Sequence, residues 1–376
     1  MKVALLSDCY PPRLGGIESQ VRDLGRRLAE AGHEVHVFTA TVGSDGQHGR
    51  VVEADGPVTV HRHTIRTPFG LPVNPLAPRR IRGELGDVDV AHVHMGVISP
   101  FASDMARLAL DLRIPTVVTW HCVLEPLAQR GYAVSGLIPR LAQGGAVLTA
   151  VSGMAAARVS AVAGGARVSL LPNGIDPARW QPPRGPSTHA GIRIVSALRF
   201  APRKRVPALI RMLRAVRARV PADVALTATL FGDGALLPPA RRLVRDSPWI
   251  TLAGRVARAE LAAAYAASDL YLSPVRLEAF GVAALEARTA GLPVVAVAGS
   301  GVCDFVTDGV EGLLADDDAG LVDAVARLAT DSILRQGIAA HNRTTPPEQA
   351  WPRVVGEVEA VYERARTVMG ERMRAG

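Results

Sequence analysis

Residues 3–39 read VALLSDCYPPRLGGIESQVRDLGRRLAEAGHEVHVFT, and the spacing of apolar residues changes twice inside this stretch. Val3 to Leu6 is a short apolar run suited to a buried strand. Ile17, Val21, Leu24 and Leu28 then recur at helical spacing, Gly32 closes the helix, and residues 35–39 return to a strand pattern. A strand, a helix and a second strand in this order imply a parallel sheet covered by helices.

The same alternation continues outward. Strands are expected at 59–64, 88–94, 116–119 and 147–151, so the first half is a doubly wound α/β domain. Prolines 172, 177, 182, 183 and 186 with glycines 174, 185 and 191 then interrupt every pattern. Beyond them strands are expected at 192–197, 225–231, 250–253, 270–273 and 294–298, with helices at 208–219, 259–267 and 282–290. The expected division is a first Rossmann-like domain at 1–175, a linker at 176–191, a second Rossmann-like domain at 192–350 and a last helix within 351–376. The fold class is α/β, with two doubly wound domains facing across a cleft. In such sheets ligands bind outside the carboxyl ends of the strands.

Composition agrees with two cores. The 376 residues exceed the roughly 250–300 at which one core stops growing, and 48% of them are hydrophobic. Apolar runs are broken well short of the ~18 residues a crossing helix needs, and no signal peptide is evident, so a cytoplasmic protein is expected. Cys9, Cys122 and Cys303 are too far apart for a disulfide framework or a zinc ribbon. The formal charge of +8 points to an anionic partner, and nearly all the positive charge is arginine. The lysines are Lys2 and Lys204 alone, which makes the internal one informative.

Three loops carry the chemistry. Glu278 and Glu286 flank Phe280-Gly281-Val282, where a helix is expected to start just after a strand. A helix N-terminus there suits a phosphate, Gly281 permits close approach, and the two carboxylates can hold hydroxyl pairs on either side of a diphosphate. The alternative is that Glu286 pairs with an arginine and Glu278 caps the helix. Arg199 and Lys204 follow the first strand of the second domain and can reach the same diphosphate, or form a solvated basic loop. Gly15 and Gly16 join the first strand to the first helix, as a ligand approach or a tight turn. The pairs His61/His63 and His92/His94 each share a strand face without an evident third ligand, and no catalytic metal is expected. No G-x-G-x-x-G follows the first strand and no phosphate-loop motif occurs, which disfavours NAD enzymes and P-loop NTPases.

Together these pieces resemble retaining GT-B glycosyltransferases of the large family-4 type. The matching residues are Gly15-Gly16-Ile17-Glu18, 31–35, 89–94, Thr119-Trp120-His121, Val151-Ser152, 171–176, Arg199 with Lys204, 231–234, Glu278-Ala279-Phe280-Gly281 with Glu286-Ala287, and 309–314. The resemblance implies that Arg199 and Lys204 bind the donor diphosphate with the N–H groups at Phe280, Gly281 and Val282, that Glu286 holds the ribose, and that Glu278 contacts the donor sugar. It also places Gly16 near the diphosphate, His121 near the sugar and Val256 near the base. It implies a hexosyl transfer from a nucleotide sugar such as GDP-mannose or UDP-glucose, with retention, no metal cofactor, and a lipid, glycan or small-molecule acceptor. The last helix is expected to cross back onto the first domain. Arg205 stands where the family commonly has Gly, Ala279 where Pro is frequent, and Cys303-Asp304 where Pro-Glu is usual.

A sugar-nucleotide epimerase or a phosphorylase of the same shape is the nearest alternative. A nucleic-acid-binding protein is disfavoured, because the arginines are scattered, aromatics are 4% and no binding module is visible. Arg62, Arg66, Arg79, Arg80 and Arg82 suggest peripheral contact with anionic membrane.

Overall fold

The computed structural model describes residues 1–13, 15–67, 70–181 and 191–375. The chain divides into two compact units, residues 1–174 with 351–376, and residues 175–350.

The first unit runs β1 (Lys2–Ser7), α1 (Gly16–Glu30), β2 (Glu34–Thr39), β3 (Gly49–Asp55), β4 (Val58–Thr64), α2 (Ala77–Ile81) and β5 (Val90–Met95). It continues with α3 (Pro100–Asp111), β6 (Thr116–Trp120), α4 (Pro126–Ser135), α5 (Leu137–Gln143), β7 (Val147–Ala150), α6 (Gly153–Ser160) and β8 (Val168–Leu170). Its eight strands lie in the order β3-β4-β2-β1-β5-β6-β7-β8. All pair in parallel except β3 with β4, an antiparallel hairpin at the edge. Sequence reading overlooks β3, since its alternately exposed residues make an edge strand with no continuous apolar run.

The second unit runs α7 (Pro177–Trp180), β9 (Ile192–Ala197), α8 (Val206–Arg219), β10 (Leu226–Phe231), α9 (Leu237–Leu243), β11 (Ile250–Gly254) and α10 (Arg258–Ala266). It continues with β12 (Leu270–Leu272), α11 (Val282–Thr289), β13 (Val294–Val297), β14 (Gly312–Ala315), α12 (Asp318–Thr330) and α13 (Ser332–Thr344). Six parallel strands lie in the order β11-β10-β9-β12-β13-β14. α7 falls inside the stretch expected as linker, yet it packs in this unit, with the Trp180 ring centroid 5.8 Å from that of Tyr265. Residues 182–190 of that stretch lie outside the described residues.

The last helix, α14 (Trp351–Ala375), belongs to the first unit. Its stripe of Trp351, Val354, Val355, Val358, Val361, Tyr362 and Ala365 is buried in one core with residues of β1, α1, β2, β4, β5, β6 and β7. The 3.6-residue periodicity of that stripe is what attaches it, since an apolar face of this width must be covered.

Two arginines read differently from their sequence. Arg62, expected on a basic surface, is 3% exposed on β4. Its guanidinium donates to Glu53 Oε1 at 2.9 and 2.6 Å, to Thr41 O at 2.9 Å and to Pro11 O at 2.8 Å, so it organises the loop after β1. Arg205 has φ of 58° in the left-handed region, which explains why glycine suits this position. Here the arginine is held by donating to Pro274 O at 2.7 Å and to both oxygens of Asp318 at 2.9 and 2.7 Å. No helix among the described residues is long and apolar enough to cross a membrane.

Candidate active site

Because every strand of the second sheet is parallel, the loops after β9, β10, β12 and β13 leave from one edge. The loop after β9 carries Arg199, and its backbone is clamped on both sides of that residue. Leu198 N donates to Phe231 O at 3.0 Å and Phe200 N donates to Asp233 O at 2.8 Å. This approach requires glycine after β10: a Cβ on Gly232 would lie 1.9 Å from Leu198 O, and one on Gly234 would lie 2.6 Å from Phe200 O. Phe200 is fully buried beneath, so Arg199 is exposed on a fixed backbone.

Lys204 ends the short turn Pro202–Lys204, and its Nζ lies 2.7 Å from Glu278 Oε2 in the loop after β12. Both side chains are partly exposed, 31% and 16%. That loop is pinned in turn, since Gly301 N donates to Glu278 O at 2.8 Å. Phe280 is buried against Phe305, and Gly281 begins α11 with φ of 92°. A Cβ on Gly281 would meet Val302 Cγ2 at 2.7 Å. Glycine is therefore needed here for both conformation and space. Glu278 makes an ion pair rather than a helix cap; Gly281 is the N-cap and no side chain caps this helix.

Glu286 lies one turn into α11, and Val282 is its first residue. Burial drives the Tyr271 hydroxyl far up, and the charges of Glu278 and then Glu286 push it further, so both carboxylates stand near one phenol. Val256 follows β11 at the outer edge of the sheet and is half-buried. The second unit thus assembles Arg199, Lys204, Glu278, Phe280, Gly281, Val282 and Glu286 on loops and one helix start at the carboxyl edge. Such a set can hold an anion between cations and a helix N-terminus, with carboxylates for neighbouring hydroxyls.

The first unit holds the remaining candidates. Gly15 is extended with φ of 175° and Gly16 opens α1, where an added Cβ would meet no atom within 4 Å. The fold itself makes no demand for glycine at 16. Asp8 directly follows β1 and is buried, accepting from Phe101 N at 3.0 Å and Ala102 N at 3.3 Å, and burial raises its carboxyl to about 6. His121 follows β6, with its N donating to Met95 O at 2.9 Å. It borders a cavity of about 300 Å³, counting its mouth, shared with Gln20, His92, His94, Asn173 and Trp351. Burial lowers the His121 imidazole to about 4, with the Asn173 side chain opposing that shift. The sequence treated His92 and His94 as a strand pair with no third ligand; only the structure brings His94 to His121. Among the described residues no group of three His, Cys, Asp or Glu is placed to hold a metal ion.

Two Rossmann-like units of this kind, with a C-terminal helix returned to the first, define the GT-B class. A solved structure of Anabaena HepE in complex with UDP and glucose matches with a TM-score of 0.75 at 19% identity, covering 96% of this chain and 99% of that one. Residues 14–179 match the family model described as Glycosyltransferase Family 4, and residues 191–331 that described as Glycosyl transferases group 1. This chain belongs to that glycosyltransferase family. A relative in Mycobacterium tuberculosis, described as a GDP-mannose-dependent alpha-(1-6)-phosphatidylinositol monomannoside mannosyltransferase, is 29% identical over 360 residues, 88% of this chain and 89% of the relative. One in Salinispora arenicola, described as a D-inositol 3-phosphate glycosyltransferase, is 27% identical over 414 aligned positions, 95% of this chain and 88% of the relative.

Proposed function

We propose that this glycosyltransferase moves a mannosyl group from GDP-mannose to an inositol-containing lipid, with retention of anomeric configuration and without a metal. The observation that carries the reading is the Lys204–Glu278 pair at 2.7 Å beside the Gly281 start of α11. A cation and a carboxylate already paired there can be separated by a ligand that is anionic at one end and hydroxylated at the other. The diphosphate takes Lys204, Arg199 and the N–H groups of residues 280–282. The sugar hydroxyls take Glu278, the ribose takes Glu286, and Val256 borders the base.

The leaving group is a nucleoside diphosphate. As the bond between the anomeric carbon and the β-phosphate oxygen breaks, negative charge grows on that phosphate, where the fixed cations stabilise it more than in the ground state. The acceptor hydroxyl attacks from the same face, its oxygen bonds to the anomeric carbon, and its proton passes to the departing phosphate oxygen. The family resemblance supports roles for Gly16 at the diphosphate and for His121 beside the transferred sugar.

The choice of guanosine, mannose and an inositol lipid is supported by the name of the relative in Mycobacterium tuberculosis, and the name of the relative in Salinispora arenicola supports an inositol acceptor alone. A lipid acceptor also calls for peripheral attachment at the cytoplasmic face of a membrane. Arg66, Arg79, Arg80 and Arg82 are exposed, as are Leu71 and Leu76 of the same stretch of chain at 51% and 48%; Arg62 is buried and takes no part. Basic residues of this kind contribute about 1 kcal/mol each at an anionic surface.

Thermal stabilisation by GDP, UDP, ADP and NAD, each with and without magnesium, tests the donor. At about 100 times its Kd a ligand stabilises by roughly 2.7 kcal/mol. GDP is expected to give the largest shift, independent of magnesium. A shift by UDP alone reassigns the base, and a shift by NAD alone or by none overturns the site.

A further inference from the structure

We infer that His94 is a positioning residue for His121, and that Tyr362 of α14 anchors the far end of the same buried chain of imidazoles. The inference rests on the reading of His121 as a group beside the transferred sugar.

His92 and His94 are alternate residues of β5, so their rings share one face of the sheet. They are 1% and 2% exposed, with ring centroids 4.2 Å apart. Both nitrogens of His92 are engaged: Nδ1 is 2.9 Å from Tyr362 Oη and Nε2 is 2.7 Å from Thr119 Oγ1. Thr119 Oγ1 is itself 2.6 Å from Thr149 Oγ1 on the next strand. His92 therefore cannot turn without breaking contacts to α14 and β6 together, the latter through a threonine that is itself tied to β7. His94 packs on this fixed ring and presents Nδ1 at 2.9 Å to Nε2 of His121.

A neutral imidazole carries one N–H and one lone pair. Of the facing nitrogens of His94 and His121, one must donate and the other accept, so their protons are placed jointly. That choice decides whether the other nitrogen of His121 offers a donor or an acceptor. Without His94, Nε2 of His121 loses its partner in a partly buried setting and the ring is free to rotate or change tautomer. Sequence gives no hint of this, because the contact joins two strands through side chains whose facing depends on register.

The test uses the shape of the amide side chains. An asparagine amide overlays Nδ1 of histidine, the atom that meets His121, whereas a glutamine amide overlays Nε2 and phenylalanine keeps only the ring's volume. With GDP-mannose and phosphatidylinositol vesicles, His94→Phe and His94→Gln are expected to lower kcat about 10–100-fold, the scale for removing a group that orients a functional histidine. KM for the donor should stay within about twofold. His94→Asn should remain within about fivefold of the parent, and Tyr362→Phe should lose less than His94→Phe. A purely structural role predicts the reverse order, with Phe and Gln tolerated better than Asn; that order, or equal losses in all three, overturns the inference. His121→Ala separates the two readings: full turnover there removes the role of His121 and the inference with it. Imidazole NMR on nitrogen-15 histidine protein decides independently of turnover. His121 should show one neutral tautomer from pH 6 to 8 in the parent and in His94→Asn, and tautomer averaging in His94→Phe; averaging already in the parent overturns the inference.

Discussion

The two parallel sheets handle polar groups at their carboxyl edges in opposite ways. In the second unit the candidate side chains are charged, partly exposed and arranged by rigid backbone, as with Arg199 between two clamped neighbours and Lys204 paired to Glu278. In the first unit they are buried or half-buried and pushed toward neutrality, as with Asp8 raised to about 6, His92 lowered to about 3 and the half-buried His121 lowered to about 4. Exposed charges are suited to meet a charged ligand that replaces their water. Buried neutral groups are suited to hold fixed donors and acceptors, because a neutral ring keeps its lone pair.

The largest effect should come from the charged edge. Arg199→Ala or Lys204→Ala is expected to lower kcat about 10² or more, the scale for losing one preorganised charge stabiliser. Near-normal turnover in both variants would erase the distinction between the units.

The neutral side is probed by pH. The Asp8 carboxyl in the fold keeps its proton to about 6 against an ordinary 3.8. Between those values the unfolded chain ionises first, so the folded state binds more protons and this group's contribution to stability falls as pH rises. The step from 3.8 to about 6 corresponds to roughly 3 kcal/mol. Asp8→Asn is expected to flatten that loss, read as the difference in Tm between variant and parent across pH 4–7. A difference independent of pH would show Asp8 to be ionised in the fold.

Two glycines sharpen the contrast at the level of backbone. Gly281→Ala should destabilise by about 1–3 kcal/mol in denaturant unfolding, from its left-handed φ and the 2.7 Å approach to Val302. Gly16→Ala should leave stability within about 0.5 kcal/mol, since nothing lies within 4 Å, while lowering transfer. Unchanged transfer would remove Gly16 from the site. The smallest effect is expected at Arg205→Gly. There relief of the left-handed backbone offsets loss of the Asp318 and Pro274 bonds, and the unfolding midpoint should move little.

Legibility in the sequence follows the same division. The alternating periods over 3–39 reveal the first βαβ unit, and the loop with Glu278, Gly281 and Glu286 reveals a helix start at a strand end, because both are local patterns. Arg62 was misread, because a buried arginine and a surface one look alike until Glu53 and the carbonyls around it are placed. The link from His94 to His121 was invisible for a related reason: it depends on β5 lying beside β6 in a particular register, Met95 opposite Trp120. Arg205 departs from the family's glycine in the sequence, and only its left-handed φ shows what the position demands.

The placement of α14 has a consequence for how this protein comes into being. Residues 351–375 are synthesised after the whole of the second unit, yet they supply Trp351, Val358 and Tyr362 to the core around β1 and α1. On the ribosome the second sheet can therefore finish while the first still shows a wide apolar face, on which Leu24, Leu28 and Val90 wait for their cover. The interval between those two events is when a nascent chain of this design is most exposed to aggregation and most in need of a chaperone.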